Sequence, residues 1–218
     1  MKHIRKTMML VAVLLGVTAQ AQAQQKTDTA LPYWYVQPTV GANIHLGEGS
    51  LGDRVSPAFS LSAGRQLTRL WGVRLSIDGW QSSNVVSKTD SEKYKWNYMQ
   101  GTVDVTLSLT DLAGYTPLEQ LGVYALAGGG CTLSWNNDEA KTLSASYQGF
   151  DKSWDGSRLF LAMKAGLGVS YQLSQCVALG LECTLSMLPD HFNSKVGKSS
   201  SRDSQLGILA GCKIAIGK

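Results

Sequence analysis

The chain has 218 residues, 44% of them hydrophobic, and 20 Lys and Arg against 16 Asp and Glu give a formal charge of +4. Lys2, Arg5 and Lys6 fall in the first 23 residues with no acidic residue among them, so residues 24–218 carry only +1, with none of the clustered basic surface that nucleic-acid binding needs. Residues 24–218 suit one domain, and no apolar run in them reaches the roughly 20 residues of a membrane helix, so only a closed barrel could cross a bilayer.

Lys2, His3, Arg5 and Lys6 precede an apolar run from Met8 to Val17 and then Ala19-Gln20-Ala21-Gln22-Ala23. A positive head, an apolar middle and small residues for the peptidase read as a secretory signal peptide over residues 1–23, cleaved after Ala23 or Ala21. A polar lead-in from Gln24 to Pro32 follows.

The first expected strand points Trp34, Val36, Pro38, Val40, Ala42, Ile44 and Leu46 one way and Gln37, Thr39, Gly41, Asn43 and His45 the other. Pro38 is awkward there, because it donates no ladder bond. The second alternates Val55, Pro57, Phe59, Leu61 and Ala63 with Ser56, Ala58, Ser60, Ser62 and Gly64. The third sets Trp71, Val73, Leu75 and Ile77 against Arg74, Ser76, Asp78 and Trp80, and the polar stretch from Ser82 to Tyr94 reads as a loop. A fourth strand from Lys95 to Thr110 sets Met99, Val103, Val105, Leu107 and Leu109 opposite Gln100, Thr102, Asp104, Thr106 and Ser108. The fifth, Gln120 to Trp135, is less regular: Tyr124 and Leu126 share the inward phase, and Gly128-Gly129-Gly130 weakens both faces.

After a long polar loop, Asn136 to Arg158, the alternation is clearest. Leu159, Leu161, Met163, Ala165, Leu167, Val169, Tyr171 and Leu173 interleave with Phe160, Ala162, Lys164, Gly166, Gly168, Ser170 and Gln172. Past Ser174-Gln175-Cys176 it resumes as Val177, Leu179, Leu181, Cys183, Leu185 and Met187 against Ala178, Gly180, Glu182, Thr184 and Ser186. A helix would mix the two sets, and each interior Gly would cost it about 1 kcal/mol relative to Ala. The eighth strand, beyond the loop Leu188 to Asp203, alternates Leu206, Ile208, Ala210, Cys212, Ile214 and Ile216 with Gly207, Leu209, Gly211, Lys213 and Ala215.

Period two does not say which face is inside; the chemistry of the polar face does. A soluble sandwich or lipocalin-like barrel would show water a face rich in Lys, Glu, Arg and Asp, whereas this face is mostly Gly, Ser, Thr and Ala. Small residues suit a narrow lumen, and the Leu, Val, Met and Tyr face suits acyl chains. The expected fold is therefore all-β, an eight-stranded antiparallel up-and-down transmembrane β-barrel over residues 24–218. Connections after odd strands are generally longer than those after even ones, the asymmetry of outer loops and periplasmic turns. Cys131, Cys183 and Cys212 lie on the apolar phase and Cys176 in a turn; the spacing fits no zinc motif, and a Cys183–Cys212 bridge is conceivable in an oxidising compartment.

Asn97-Tyr98 through Gly101, Val103-Asp104-Val105, Leu107, Leu109, Leu112 and Gly114-Tyr115 resemble the fourth strand and following turn of OmpA-type outer-membrane barrel domains. Tyr33-Trp34-Tyr35-Val36 and Trp71-Gly72-Val73-Arg74-Leu75 resemble that family's first and third strands. The resemblance implies a cell outer-membrane location, contact with outer-membrane lipid and lipopolysaccharide, insertion by the barrel-assembly machinery and a monomeric barrel. The chain reaches Lys218 directly after the eighth strand, so the family's peptidoglycan tethering is not carried over; its end, Ala215-Ile216-Gly217-Lys218, also lacks the aromatic residue that such barrels commonly present during assembly.

The inward phase collects Arg74, Lys164 and Lys213 against Asp78, Asp104 and Glu182. Eight strands leave room only for side chains to fill the barrel, so these charges must pair, and a neutral plug in the lumen is expected. Only His45 and His191 could serve a catalytic triad, with Glu48 and Asp190 nearby in sequence. Tyr147, Phe150 and Trp154 in the loop after the fifth strand could contact an extracellular partner, or pack on neighbouring loops and the interfacial girdle. No catalytic set, metal site or cofactor motif is identified. The expectation is a non-enzymatic barrel with a structural or surface-interaction role in the Gram-negative envelope. The alternatives are a lipid A-modifying barrel enzyme and a narrow channel or hydrophobic-ligand conduit.

Overall fold

The computed structural model describes residues 31–46, 54–85, 92–114, 118, 120–144, 154, 156–189, 192–194 and 202–216. The signal segment, Glu48, Tyr147, Phe150, Asp190 and His191 lie outside the described residues. Eight strands form one closed barrel in sequence order: β1 (Tyr33–Leu46), β2 (Val55–Gln66), β3 (Trp71–Val85), β4 (Lys93–Ser108), β5 (Leu121–Trp135), β6 (Arg158–Gln172), β7 (Val177–Pro189) and β8 (Arg202–Ile216). All neighbours are antiparallel, and β1 closes on β8. The β1–β8 ladder is interrupted between Val36↔Ile214 and Thr39↔Gly211, where Pro38 has no N–H to give.

The polarity of the wall is inverted relative to a soluble protein. Val40, Leu75, Val103, Leu161, Leu167 and Leu181 are exposed, whereas Gln37, Ser62, Arg74, Ser76, Asp104, Lys164 and Glu182 are buried. Aliphatic rows on every strand form a continuous apolar skin of a kind that is stable in acyl chains and aggregates in water.

Four local expectations are corrected. β4 ends at Ser108 rather than at Thr110, because Ser108 caps a short helix, α1 (Leu109–Ala113): its Oγ accepts the Asp111 N–H at 3.3 Å, and Gly114 closes the turn in the left-handed region at φ 63°. Much of the stretch expected as a loop from Ser82 to Tyr94 is strand: β3 runs to Val85 and β4 begins at Lys93. Its Ser and Asn residues look loop-like only because they face the lumen, where Ser82 and Asn84 are buried. Trp80, expected inward, is 56% exposed, although the register sets it opposite the buried Ala58 and Tyr98. A Cys183–Cys212 bridge is not formed: all four cysteines are free, and β7–β8 pairing sets Cys183 opposite Ile208 and Cys212 opposite Leu179. That offset of four residues is about 13 Å along the strand, beyond the roughly 7 Å that a disulfide spans between Cα atoms.

Candidate functional site

The lumen is filled at two levels. The one nearer the short β2–β3 and β6–β7 turns is ionic. Inward positions on β3, β4, β6 and β7 bring together Arg74, Asp78, Asp104, Lys164 and Glu182. Arg74 grips Glu182 with two parallel bonds, Nη1 to Oε1 at 2.7 Å and Nη2 to Oε2 at 3.0 Å, and its Nε reaches Asp104 Oδ2 at 3.1 Å. Lys164 Nζ continues the chain, 3.0 Å from Asp104 Oδ2 and 2.8 Å from Asp78 Oδ2. Neutral donors add to the acceptors: Ser76 Oγ on Asp104 Oδ2 at 2.8 Å, and Gln37 Nε2 and Tyr124 OH on Glu182 Oε1 at 2.7 and 2.6 Å, while Asp104 Oδ1 is buried without a hydrogen-bond partner.

Glycines make the space. A Cβ on Gly128 would collide with the Asp104 carboxylate and the β4 backbone, and one on Gly168 would collide with the Tyr124 ring. The irregular glycine run of β5 is therefore where the wall yields room to the cluster.

Lys213 stands apart from the expected set. Its ammonium lies 3.9 Å from the centroid of the Tyr35 ring and 5.6 Å from that of Tyr33, a cation–π contact instead of an ion pair. Two cations thus hold three carboxylates, rather than three balancing three.

The second level, at the end of the long connections, is aromatic. Tyr94, Trp96 and Tyr98 on β4 continue the inward phase of Gln100, Thr102 and Asp104, and all three are buried. Phe192, from the β7–β8 connection, sits among them with ring centroids 5.4 Å from Trp96, 5.8 Å from Tyr98 and 5.8 Å from Phe160. The helix α2 (Asp138–Ser144), within the segment expected as a polar loop, adds Ala140 and Leu143 to the same cluster. Trp154 is 3% exposed and packs on Phe160 at 6.0 Å, so it is interior packing and not a surface contact.

His45 is inward and 1% exposed, walled by Trp96 and Phe192 at 5.7 and 6.3 Å. Its Nε2 lies 3.3 Å from Asn193 Nδ2 and 3.8 Å from Asp203 Oδ1. Asn193 is itself latched to Asp203, by its backbone N–H at 2.9 Å and its Nδ2 at 2.6 Å, while Tyr94 OH donates to its carbonyl at 2.8 Å. Between the two levels Gln100 bonds Ser186 and Thr132, both at 3.1 Å, beside a cavity of about 10 Å³ lined by Asn43, Asp78, Tyr98 and Lys164 among others. That is room for about one water molecule. Among the described residues no group of His, Cys, Asp and Glu could hold a metal ion.

The ionic level was legible in the inward phase; the aromatic one was missed. Its signal was present, since Tyr94, Trp96 and Tyr98 recur at every second position in phase with Asp104, but Phe192 and Trp154 reach the lumen from connections that periodicity does not describe.

The family profile for the outer membrane protein beta-barrel domain matches residues 9–212. Neisserial surface protein A (NspA) is similar in structure, with 14% identity and a TM-score of 0.51 over 83% of this chain and 96% of that one. Ail of Yersinia pestis, solved with the heparin analogue sucrose octasulfate, has 12% identity and a TM-score of 0.46 over 85% and 97%. The N-terminal barrel of Pseudomonas aeruginosa OprF has 13% identity and a TM-score of 0.46 over 85% and 99%. No curated protein sequence matches the chain.

Proposed function

The chain belongs to the outer-membrane β-barrel domain family and resides in the outer membrane; from that premise we propose that it is a non-enzymatic, sealed barrel with a structural or surface-interaction role in the envelope. The observation that carries this reading is the filling of the lumen at two separate levels, ionic and aromatic. An aqueous channel needs a continuous wet path, and the cavity between the two levels holds about 10 Å³, room for about one water molecule. The six inward charges serve the seal: Arg74, Asp78, Asp104, Lys164 and Glu182 as a paired plug, Lys213 as a cation held on tyrosine rings below it. With the lumen filled, a surface-interaction role falls to the connections, and the sequence candidates for it are Tyr147 and Phe150.

The lipid A-modifying alternative is disfavoured by the placing of His45. A general base must come within hydrogen-bond reach of the proton that it removes, and this imidazole lies behind Trp96 and Phe192. Mass spectrometry of lipid A from a deletion strain and its complemented parent tests the reading. Identical mass profiles are expected; gain or loss of an acyl chain on deletion would overturn it.

A further inference from the structure

Beside the aromatic level one strand pairing of the wall stops short. At the long-connection end the β6–β7 ladder stops at Met163↔Met187, yet β6 starts five residues earlier, at Arg158, and β7 runs on to Pro189. Each strand keeps its other partner, β6 pairing with β5 as far as Ser134↔Arg158 and β7 with β8 as far as Pro189↔Arg202, so over the last two residues of β7 the two strands are not paired with each other. Leu159 and Leu161, on the outward face of β6 beside this seam, are 67% and 75% exposed, which places the seam in the apolar skin. Directly below it lies an open, mostly apolar groove of about 360 Å³, lined by Leu167, Cys183, Leu185 and Leu206 and also by the buried Leu126 of β5 and Thr184. Behind the seam, Phe160, Ala162 and Leu188 are buried against the Phe192 cluster.

Phe192 occupies this cluster as a guest would. It is delivered by a connection, not by the wall, and is ringed by side chains from three strands: His45 on β1, Trp96 and Tyr98 on β4, and Phe160 on β6. Beside those rings two indole donors, Trp96 Nε1 and Trp154 Nε1, are buried with no hydrogen-bond partner, as is Ser134 Oγ. Buried donors left unsatisfied are rare and costly, and two in one apolar cluster call for an acceptor.

We propose that the aromatic level is a ligand site entered sideways from the outer leaflet through the β6–β7 seam, that it takes an apolar, ring-sized molecule carrying one hydrogen-bond-accepting oxygen, and that Phe192 is its resident occupant. The ligand displaces Phe192, lies among Trp96, Tyr98 and Phe160, and its oxygen accepts from the indoles. The ionic level beneath closes the lumen, so the molecule is held, not passed through.

The test is a titration of the full barrel in phosphatidylcholine nanodiscs with benzyl alcohol, and with ethylbenzene as the ring without an acceptor, following the indole N–H resonances. Trp96→Phe and Trp154→Phe assign the two signals, and the exposed Trp34 is the control for general effects of solute in the bilayer. In the wild-type chain benzyl alcohol moves both buried indole signals saturably, and ethylbenzene binds about tenfold more weakly for want of the hydrogen bonds from the indoles. Phe192→Ala, or Phe192→Leu should the first variant fail to fold, binds the alcohol about tenfold more tightly because the competing occupant is gone. No saturable movement in the wild-type chain overturns the proposal, even if Phe192→Ala takes up the alcohol, since that variant alone would show only a carved cavity. Equal affinity for the two solutes overturns it as well.

Discussion

The two fillings of this lumen share one wall and solve the same problem by different physics. The ionic level is specified by partners: each oxygen of Glu182 accepts from Arg74, and Asp104 bridges Arg74 to Lys164. Remove one member and the others are left charged in a space that cannot hydrate them. The aromatic level is specified by shape, through edge-to-face ring contacts around Phe192, and shape tolerates substitution by degrees. A buried charge network is therefore stiff and all-or-none, whereas an aromatic cap can loosen locally while the barrel below stays intact.

That contrast can be broken most forcefully at Arg74. Arg74→Ala strands the carboxylates of Glu182 and Asp104, and about 3–5 kcal/mol of unfolding free energy is lost, measured by denaturant titration in lipid vesicles. Arg74→Met combined with Glu182→Met removes both sides of the strongest pair, and most of the loss is recovered; if the double variant is as unstable as the single one, the level is not governed by charge pairing. In the aromatic level, Phe160→Leu nearly conserves volume and costs about 1 kcal/mol in the same titration, with no sharp loss of folding. Lys213→Met is the smallest change. It forfeits a cation–π contact on Tyr35 and leaves no carboxylate stranded, so a shift below about 1 kcal/mol is expected. A loss as large as that of Arg74→Ala would place Lys213 inside the ion network after all.

How much of this could be read from sequence follows from what generates each feature. The barrel and the inward rows were readable because a pleated strand imposes period two, and because Gly, Ser and Thr opposite Leu and Val fit a narrow lumen in a lipid skin. Arg74, Asp104, Lys164 and Glu182 could be grouped for that reason. Register could not be read, and register sets Lys213 opposite Ala178, with its ammonium on the Tyr35 ring instead of on a carboxylate. Ser82 to Val85 were misjudged because hydropathy treats a lumen-facing Ser or Asn as if it faced water in a loop. The cap depends on Phe192 and Trp154, delivered by connections whose paths no local pattern encodes.

The central claim is that two independent levels close the lumen, and single-channel recording in planar bilayers addresses it directly. The wild-type chain, Phe192→Ala alone, and Arg74→Ala with Glu182→Ala are each expected to hold the baseline of the bare bilayer. The variant carrying all three substitutions is expected to conduct. A large, steady conductance from the wild-type chain would contradict the account.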